Sequence, residues 1–395
     1  TKSKKLKVFI QRGDMKHYDV HKVKMTTRHF STDNRNHARA SSVLREVSRL
    51  GGVCKIGVIH LPRFYYDHGA IVSGHSGANS YEDVKIELQK ILNEKAEAVV
   101  LDLRGNPGGS TLAAGKILSL FLPNRLISYR SAQAKGGNIK KVKLFNFDKD
   151  IAYRGPLVIL MDEESASASE MFAGTIQDYA RGVIVGAEKS WGKGIAQTYI
   201  SLEKSKNTSL GELWCTDMRF YRADGSSCQE VGIASDIVLP SYAGENHGMS
   251  GNEYFIKQGE PLDHLKLEVA GEELSPCQNL NPIVYKSISE LQKKSKQRIS
   301  TSKDFQELIA DIDYNAAKKK KPNALKLDDW VTSREYEATR LKKLMNILQC
   351  RPRDIGRKWT MVDNIFLRES LQVAADMVEL GAFASEVDWL KIQYN

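Results

Sequence analysis

Between residues 53 and 186 the chain repeats one pattern: a short apolar run, then a longer stretch with helical period. The apolar runs are "VCKIGVIHL" (53 to 61), "AEAVVLDLR" (96 to 104), "GPLVILMD" (155 to 162) and "GVIVG" (182 to 186). The helical stretches are "EDVKIELQKILNEK" (82 to 95), "TLAAGKILSLFL" (111 to 122) and about 168 to 181. Strand, helix, strand in succession implies crossover connections, so the pattern predicts an α/β core with a largely parallel sheet covered by helices. After it, "ELWCTDMRFYRADGSSCQEVG" reads as strand, turn and return, with Asp224-Gly225 in the turn.

The flanks differ from this core. Residues 5 to 12 and 20 to 28 alternate around a turn-like "GDMKHYD", predicting a hairpin that is marginal alone and needs a neighbouring domain. Beyond about residue 245 the strands stop and four helical stretches follow, with Val284, Ile288 and Leu291, then Leu367, Leu371, Ala374 and Val378, each on one face. The expected division is a hairpin over 1–30, an α/β core over 31–245 and an all-helical domain over 246–395, which suits a length of 395 residues. "KKKKP" (318 to 322) reads as a solvated linker.

Composition excludes several classes. With 41% apolar and 27% charged residues the chain reads as soluble and globular, and no apolar run approaches the ~18 residues of a membrane span. The net charge of +10 is spread over many predicted helices and accompanies no nucleic-acid motif. Five cysteines without CxxC spacing indicate neither a zinc site nor a full disulfide framework. No metal or cofactor is implied.

Chemistry concentrates at three places. In "MDEESASASEMFAGTIQDY" (161 to 179) a strand runs into a helix, and Ser167-Ala-Ser-Glu170 fits a capping box. The same position suits a nucleophile, because first-turn amides and the helix dipole favour an anion there. A serine nucleophile needs a base. Of nine histidines, His60, His68 and His75 lie upstream without a nearby acid motif, and only His247 and His264 follow the serines. A lysine can replace histidine where burial keeps its amine neutral, and Lys193 in "WGKGIAQT" is the candidate. That stretch fails as a phosphate loop, because Ala187 stands where a glycine is required and Gly194 where Ser or Thr would bind magnesium. The third place is "LDLRGNPGGS" (101 to 110), where Gly108 and Gly109 free the backbone to present amides at a helix start. Asp102 and Arg104 read as structural partners.

Together these stretches, with "RADGSSCQEVGIASDIVLP", resemble the tail-specific proteases, or carboxy-terminal processing peptidases, over about residues 50 to 240. The helical tail resembles that of the long bacterial members. The resemblance implies a core of crotonase/Clp-protease-like type and a serine endopeptidase acting on protein C-terminal tails. It also implies a periplasmic or envelope location and a PDZ domain, of which the first hairpin would be the remnant. By the same resemblance Ser167 is the nucleophile, Lys193 the general base and Gln197 the residue holding the lysine amine. Gly109 and Ala168 are the oxyanion donors, with Gly108 the second choice, and Asp178 is a supporting acid. The partners are proteins with exposed tails, with self-association left open. Two departures stand out: the loop before Lys193 is one residue longer than usual, and Ser235 replaces the usual proline. The alternatives are a crotonase-like acyl-CoA enzyme and a non-catalytic peptide-binding scaffold.

Overall fold

The computed structural model describes residues 39–49, 51–67, 78–122, 126–133, 139–145, 151–201, 212–241, 282–319, 327–348 and 364–382. They all belong to one compact unit, Arg39–Asn395. The hairpin expected at 5–28 lies outside the described residues, as does "KKKKP" beyond Lys319.

The apolar runs form β2 (Gly52–His60), β3 (Ala98–Asp102), β6 (Leu157–Met161) and β7 (Val183–Gly186). With β1 (Ser41–Arg49) and β10 (Ile237–Val238) they make a six-stranded sheet in the order β1-β2-β3-β6-β7-β10. It is parallel except for β1, which folds back antiparallel on β2. Strands β3, β6 and β7 are buried along their whole length, as both-face coverage requires.

Helices α1 (Ser80–Asn93), α2 (Thr111–Ser119) and α3 (Ala168–Asp178) connect these strands. Because strand order advances in one direction from β2 to β7, right-handed crossovers place all three on the same face. There Ile59, Leu101, Ile159 and Ile184 meet Leu88, Ile117, Phe172 and Ile176 in one cluster. Alternate residues, among them Ile56, Val58, Val100, Leu160 and Val185, point to the opposite face. They pack with Val284 and Leu291 of α4 (Pro282–Thr301) and with Leu367, Leu371, Ala374 and Met377 of α7 (Ile365–Glu379).

The boundary expected near residue 245 therefore does not separate two cores. The tail supplies the layer that crossover handedness denies to the sheet's second face. Asp376, 1% exposed, fastens α7 by accepting from Arg49 of β1 and pairing with Arg298 of α4, each at 2.8 Å. Helices α5 (Lys303–Lys319) and α6 (Leu327–Leu348) build a smaller cluster around Phe305, Leu308, Leu344 and Ile347, joined by Ile365 of α7.

A second, antiparallel sheet has the order β5-β4-β9-β8, comprising β4 (Leu126–Gln133), β5 (Ile139–Phe145), β8 (Ile195–Ser201) and β9 (Glu212–Tyr221). The Asp224-Gly225 turn forms, its Gly225 amide donating to the Arg222 carbonyl at 3.0 Å, but the expected return strand does not. The returning segment is held instead by the 190–194 loop: Glu230 N–H donates to the Gly192 carbonyl at 2.8 Å and Ile233 N–H to Ser190 Oγ at 2.7 Å.

Candidate functional site

Neighbouring parallel strands β3 and β6 end side by side, and the loops leaving their carboxyl ends, where open α/β sheets gather ligands, touch. Asn106, fully buried, joins them. Its Nδ2 donates to the Leu61 carbonyl at 2.7 Å, and its Oδ1 accepts the Gly108 amide at 2.9 Å. Its carbonyl accepts Ala166 N–H at 3.0 Å and Ser169 Oγ at 2.9 Å.

The three serines sort by these contacts. Ser165, also fully buried, bonds the Leu103 carbonyl at 2.8 Å, and Ser169 bonds Asn106, so both are structural. Ser167 is the partly exposed one and has φ 58° and ψ −112°. That is close to the first central position of a type II′ turn, a conformation L-residues rarely occupy and which stores on the order of 1–3 kcal/mol.

Gly108 lies against this serine, and Gly109 against Phe64. A Cβ on Gly108 would stand 2.8 Å from both Ser167 Cβ and Ala168 N; one on Gly109 would stand 1.9 Å from the Phe64 carbonyl oxygen. Both have positive φ, 93° and 134°, so only glycine allows the approach. The Gly108 amide is occupied by Asn106, which removes the second choice of oxyanion donor. The Gly109 and Ala168 amides donate to no acceptor among the described residues.

Glu170 brings the lysine loop to the same place. Its carboxylate is fully buried; Oε2 accepts Ser167 N–H at 2.7 Å and Lys193 N–H at 2.8 Å. Oε1 accepts Ser190 Oγ and Gly192 N–H, each at 2.6 Å. Burial pushes this carboxyl up, and the four donors oppose the shift. Gln229 Oε1, accepting Gly194 N–H at 2.8 Å, holds the far side of the lysine. The longer loop is thus accommodated, its Ser190 being one of the groups on Glu170. Ser235, in place of the usual proline, donates its hydroxyl to the Ala187 carbonyl at 2.6 Å.

Ser167, Ala168 and Lys193 line one small pocket that opens to solvent, together with Ile127, Met171, Phe220 and Arg222. Gln197 does not join them. It sits exposed on β8, outside that pocket and without a hydrogen bond to Lys193 among the described residues. Alternation explains this only in part, since a bulge interrupts the β8–β9 register between Ala196 and Gln197. Asp178 pairs with Arg222 through Nε at 2.9 Å and through Nη2; burial pushes its carboxyl up against the pull of that guanidinium.

Two features are invisible to local sequence reading. Glu170 looks like a helix-capping glutamate, and only the S-x-x-E spacing marks it; its reach to residues 190–193 is long-range. His60 has no acid near it in sequence, but parallel pairing sets it opposite Asp102, Nδ1 to Oδ2 at 3.5 Å. Asp102 also binds Arg104 bidentately, at 2.9 and 2.7 Å. Burial acts to raise the Asp102 carboxyl, but Arg104 and His60 outweigh it and hold it well below the usual range.

Asp162 supports the same junction, its carboxylate accepting Gly105 N–H at 2.9 and 3.0 Å. Burial pushes it up to about 7, reinforced by the charges of Glu164 and Glu163 and opposed by the Gly105 bond. A carboxyl raised on folding contributes stability that is full below its unfolded pKa of ~3.9 and is lost as pH climbs through the folded value. Wild type should therefore lose thermal stability relative to Asp162→Asn between pH 5 and 8. Midpoints recorded across that range check this, and parallel curves would refute it.

Among the described residues no group of His, Cys, Asp and Glu could hold a metal, and no helix is long and apolar enough to cross a membrane.

The α/β domain thus carries a strained serine at a strand-to-helix junction, with a lysine lining the same pocket. Residues 55–239 match the sequence model described as Peptidase family S41. The chain is 36% identical over 190 residues to the "Tail-specific protease" of Haemophilus influenzae, covering 47% of this chain and 25% of that protein. It is 37% identical over 171 residues to the "Carboxyl-terminal-processing protease" of Synechocystis sp., covering 43% of this chain and 38% of the relative. A solved structure, "Photosystem II D1 C-terminal processing protease", aligns at 22% identity and TM-score 0.37, covering 47% of this chain and 42% of that one. This chain thus spans well under half the length of these curated relatives.

Proposed function

We propose that this chain is a serine endopeptidase that processes or degrades proteins recognised by their C-terminal tails. The observation that carries the reading is the shared pocket, in which Ser167, Lys193 and Ala168 converge inside the stretch that matches Peptidase family S41. Lys193 takes the proton of Ser167, whose Oγ attacks the scissile carbonyl. The Gly109 and Ala168 amides receive the oxyanion. Lys193 then protonates the leaving amine, and water releases the acyl-enzyme. Gln197 would have to turn in from the exposed face of β8 to reach the lysine. The tail lies extended along a strand edge, and β8, the last strand of its sheet and continuous with Lys193, is the edge at hand. A periplasmic or envelope setting accompanies this reading.

The test combines labelling and turnover. A serine-directed acylating probe should label wild type but not Ser167→Ala. Lys193→Ala should cleave an unfolded, tail-bearing protein at least about a thousand-fold more slowly, with its thermal midpoint nearly unchanged. Wild-type cleavage by Lys193→Ala would remove the lysine from the mechanism.

A further inference from the structure

The S41 match ends at residue 239, yet a buried side chain far beyond it reaches the glycine loop. Asn364, 7% exposed, caps the N-terminus of α7. Its Oδ1 accepts Phe366 N–H at 3.1 Å and Leu367 N–H at 3.2 Å, and also Arg104 Nη1 at 2.6 Å. The other two nitrogens of that guanidinium, Nε and Nη2, are taken by Asp102. Each nitrogen of Arg104 therefore has an acceptor, and the buried side chain is fixed between strand β3 and the tail helix.

Arg104 is where the glycine loop begins. Its own N–H donates to Asp102 Oδ1 at 3.1 Å, and the next amide, Gly105, is held by Asp162. Asn106 then fixes Gly108, which leads directly to Gly109. The loop thus leaves the strand in a direction set at its first residue. Removing the Asn364 acceptor would break the tie between the buried guanidinium and α7, leaving Arg104 free to reorient.

The geometry points to Asn364 as a positioning residue that holds the Gly108–Gly109 loop through Arg104, so that tail helix α7 takes part in the peptidase site. This rests on the reading of Gly109 as an oxyanion donor. Asn364 touches no reacting atom. Its effect is on orientation, for which misplacement by about 1 Å costs up to roughly a hundred-fold in rate.

Two substitutions separate the helix cap from the contact with Arg104. Serine caps a helix about as well as asparagine but is too short to reach Arg104; aspartate caps equally well and keeps the acceptor. In the full chain, Asn364→Ser should stay folded with its thermal midpoint a few degrees lower, and kcat measured well below that midpoint should fall roughly ten-fold with KM unchanged. Asn364→Asp should restore kcat to within about two-fold of wild type. Full kcat in Asn364→Ser would overturn the proposal, as would a folded Asn364→Asp as slow as the serine variant. Ser167→Ala, measured alongside, keeps the two readings apart: cleavage that survives it refutes the peptidase reading itself.

Discussion

Ser167→Gly should abolish cleavage, by at least about a thousand-fold, and yet raise the thermal midpoint by a few degrees. The activity loss follows from removing the nucleophile. The stability gain follows from the backbone at φ 58° and ψ −112°, which glycine adopts without strain. Relief of on the order of 1–3 kcal/mol of strain exceeds the ~0.5–1 kcal/mol of extra chain entropy that glycine loses on folding. Ser167→Ala separates the two effects. It should be equally inactive, but its midpoint should stay near that of wild type, because alanine has a Cβ and is strained in the same way. Differential scanning of the three proteins checks this, and a glycine variant melting below the alanine variant would show that Ser167 stores no strain.

Glu170→Ala should have the largest effect on stability. The substitution leaves Ser167 N–H, Gly192 N–H, Lys193 N–H and the Ser190 hydroxyl without their common acceptor inside the protein. At about 1–3 kcal/mol for each buried donor left unpaired, and with water entering to satisfy some of them, a loss of about 4 kcal/mol or more is expected. That is a large part of the ~5–15 kcal/mol by which a domain is stable. Activity should fall further than stability, since the serine loop and the lysine loop lose their shared anchor. Glu170→Gln, which keeps the volume but turns an NH₂ toward two of the donors, should fall between. Denaturant midpoints and turnover under native conditions read both, and an alanine variant within 2 °C of wild type would show that Glu170 does not join the loops.

These predictions depend on residues that were unequally visible in the sequence. The strand-to-helix serine, the paired glycines and the lysine between glycines were each legible because their signals are local: a capping box, a turn that needs positive φ, a loop that needs close approach. Local signals could not rank Gly108 against Gly109. The side chain of Asn106 does so, by taking the Gly108 amide. Nor could they place Gln197, four residues from Lys193, because a bulge and an edge strand, rather than spacing, decide which way it points. The expected return strand after Asp224-Gly225 failed for a related reason: its backbone donors found better acceptors in the lysine loop.

What the sequence by itself determined is the α/β core and the kinds of group at its carboxyl edge, since hydrophobic period and turn chemistry act within a few residues. The tertiary structure alone decided that the tail belongs to that core. Strands advancing in one direction place every crossover helix on one face, and the exposed apolar face left behind must be buried. Helices α4 and α7 bury it. In doing so they carry Asn364 to Arg104, a contact across 260 residues that no local pattern encodes.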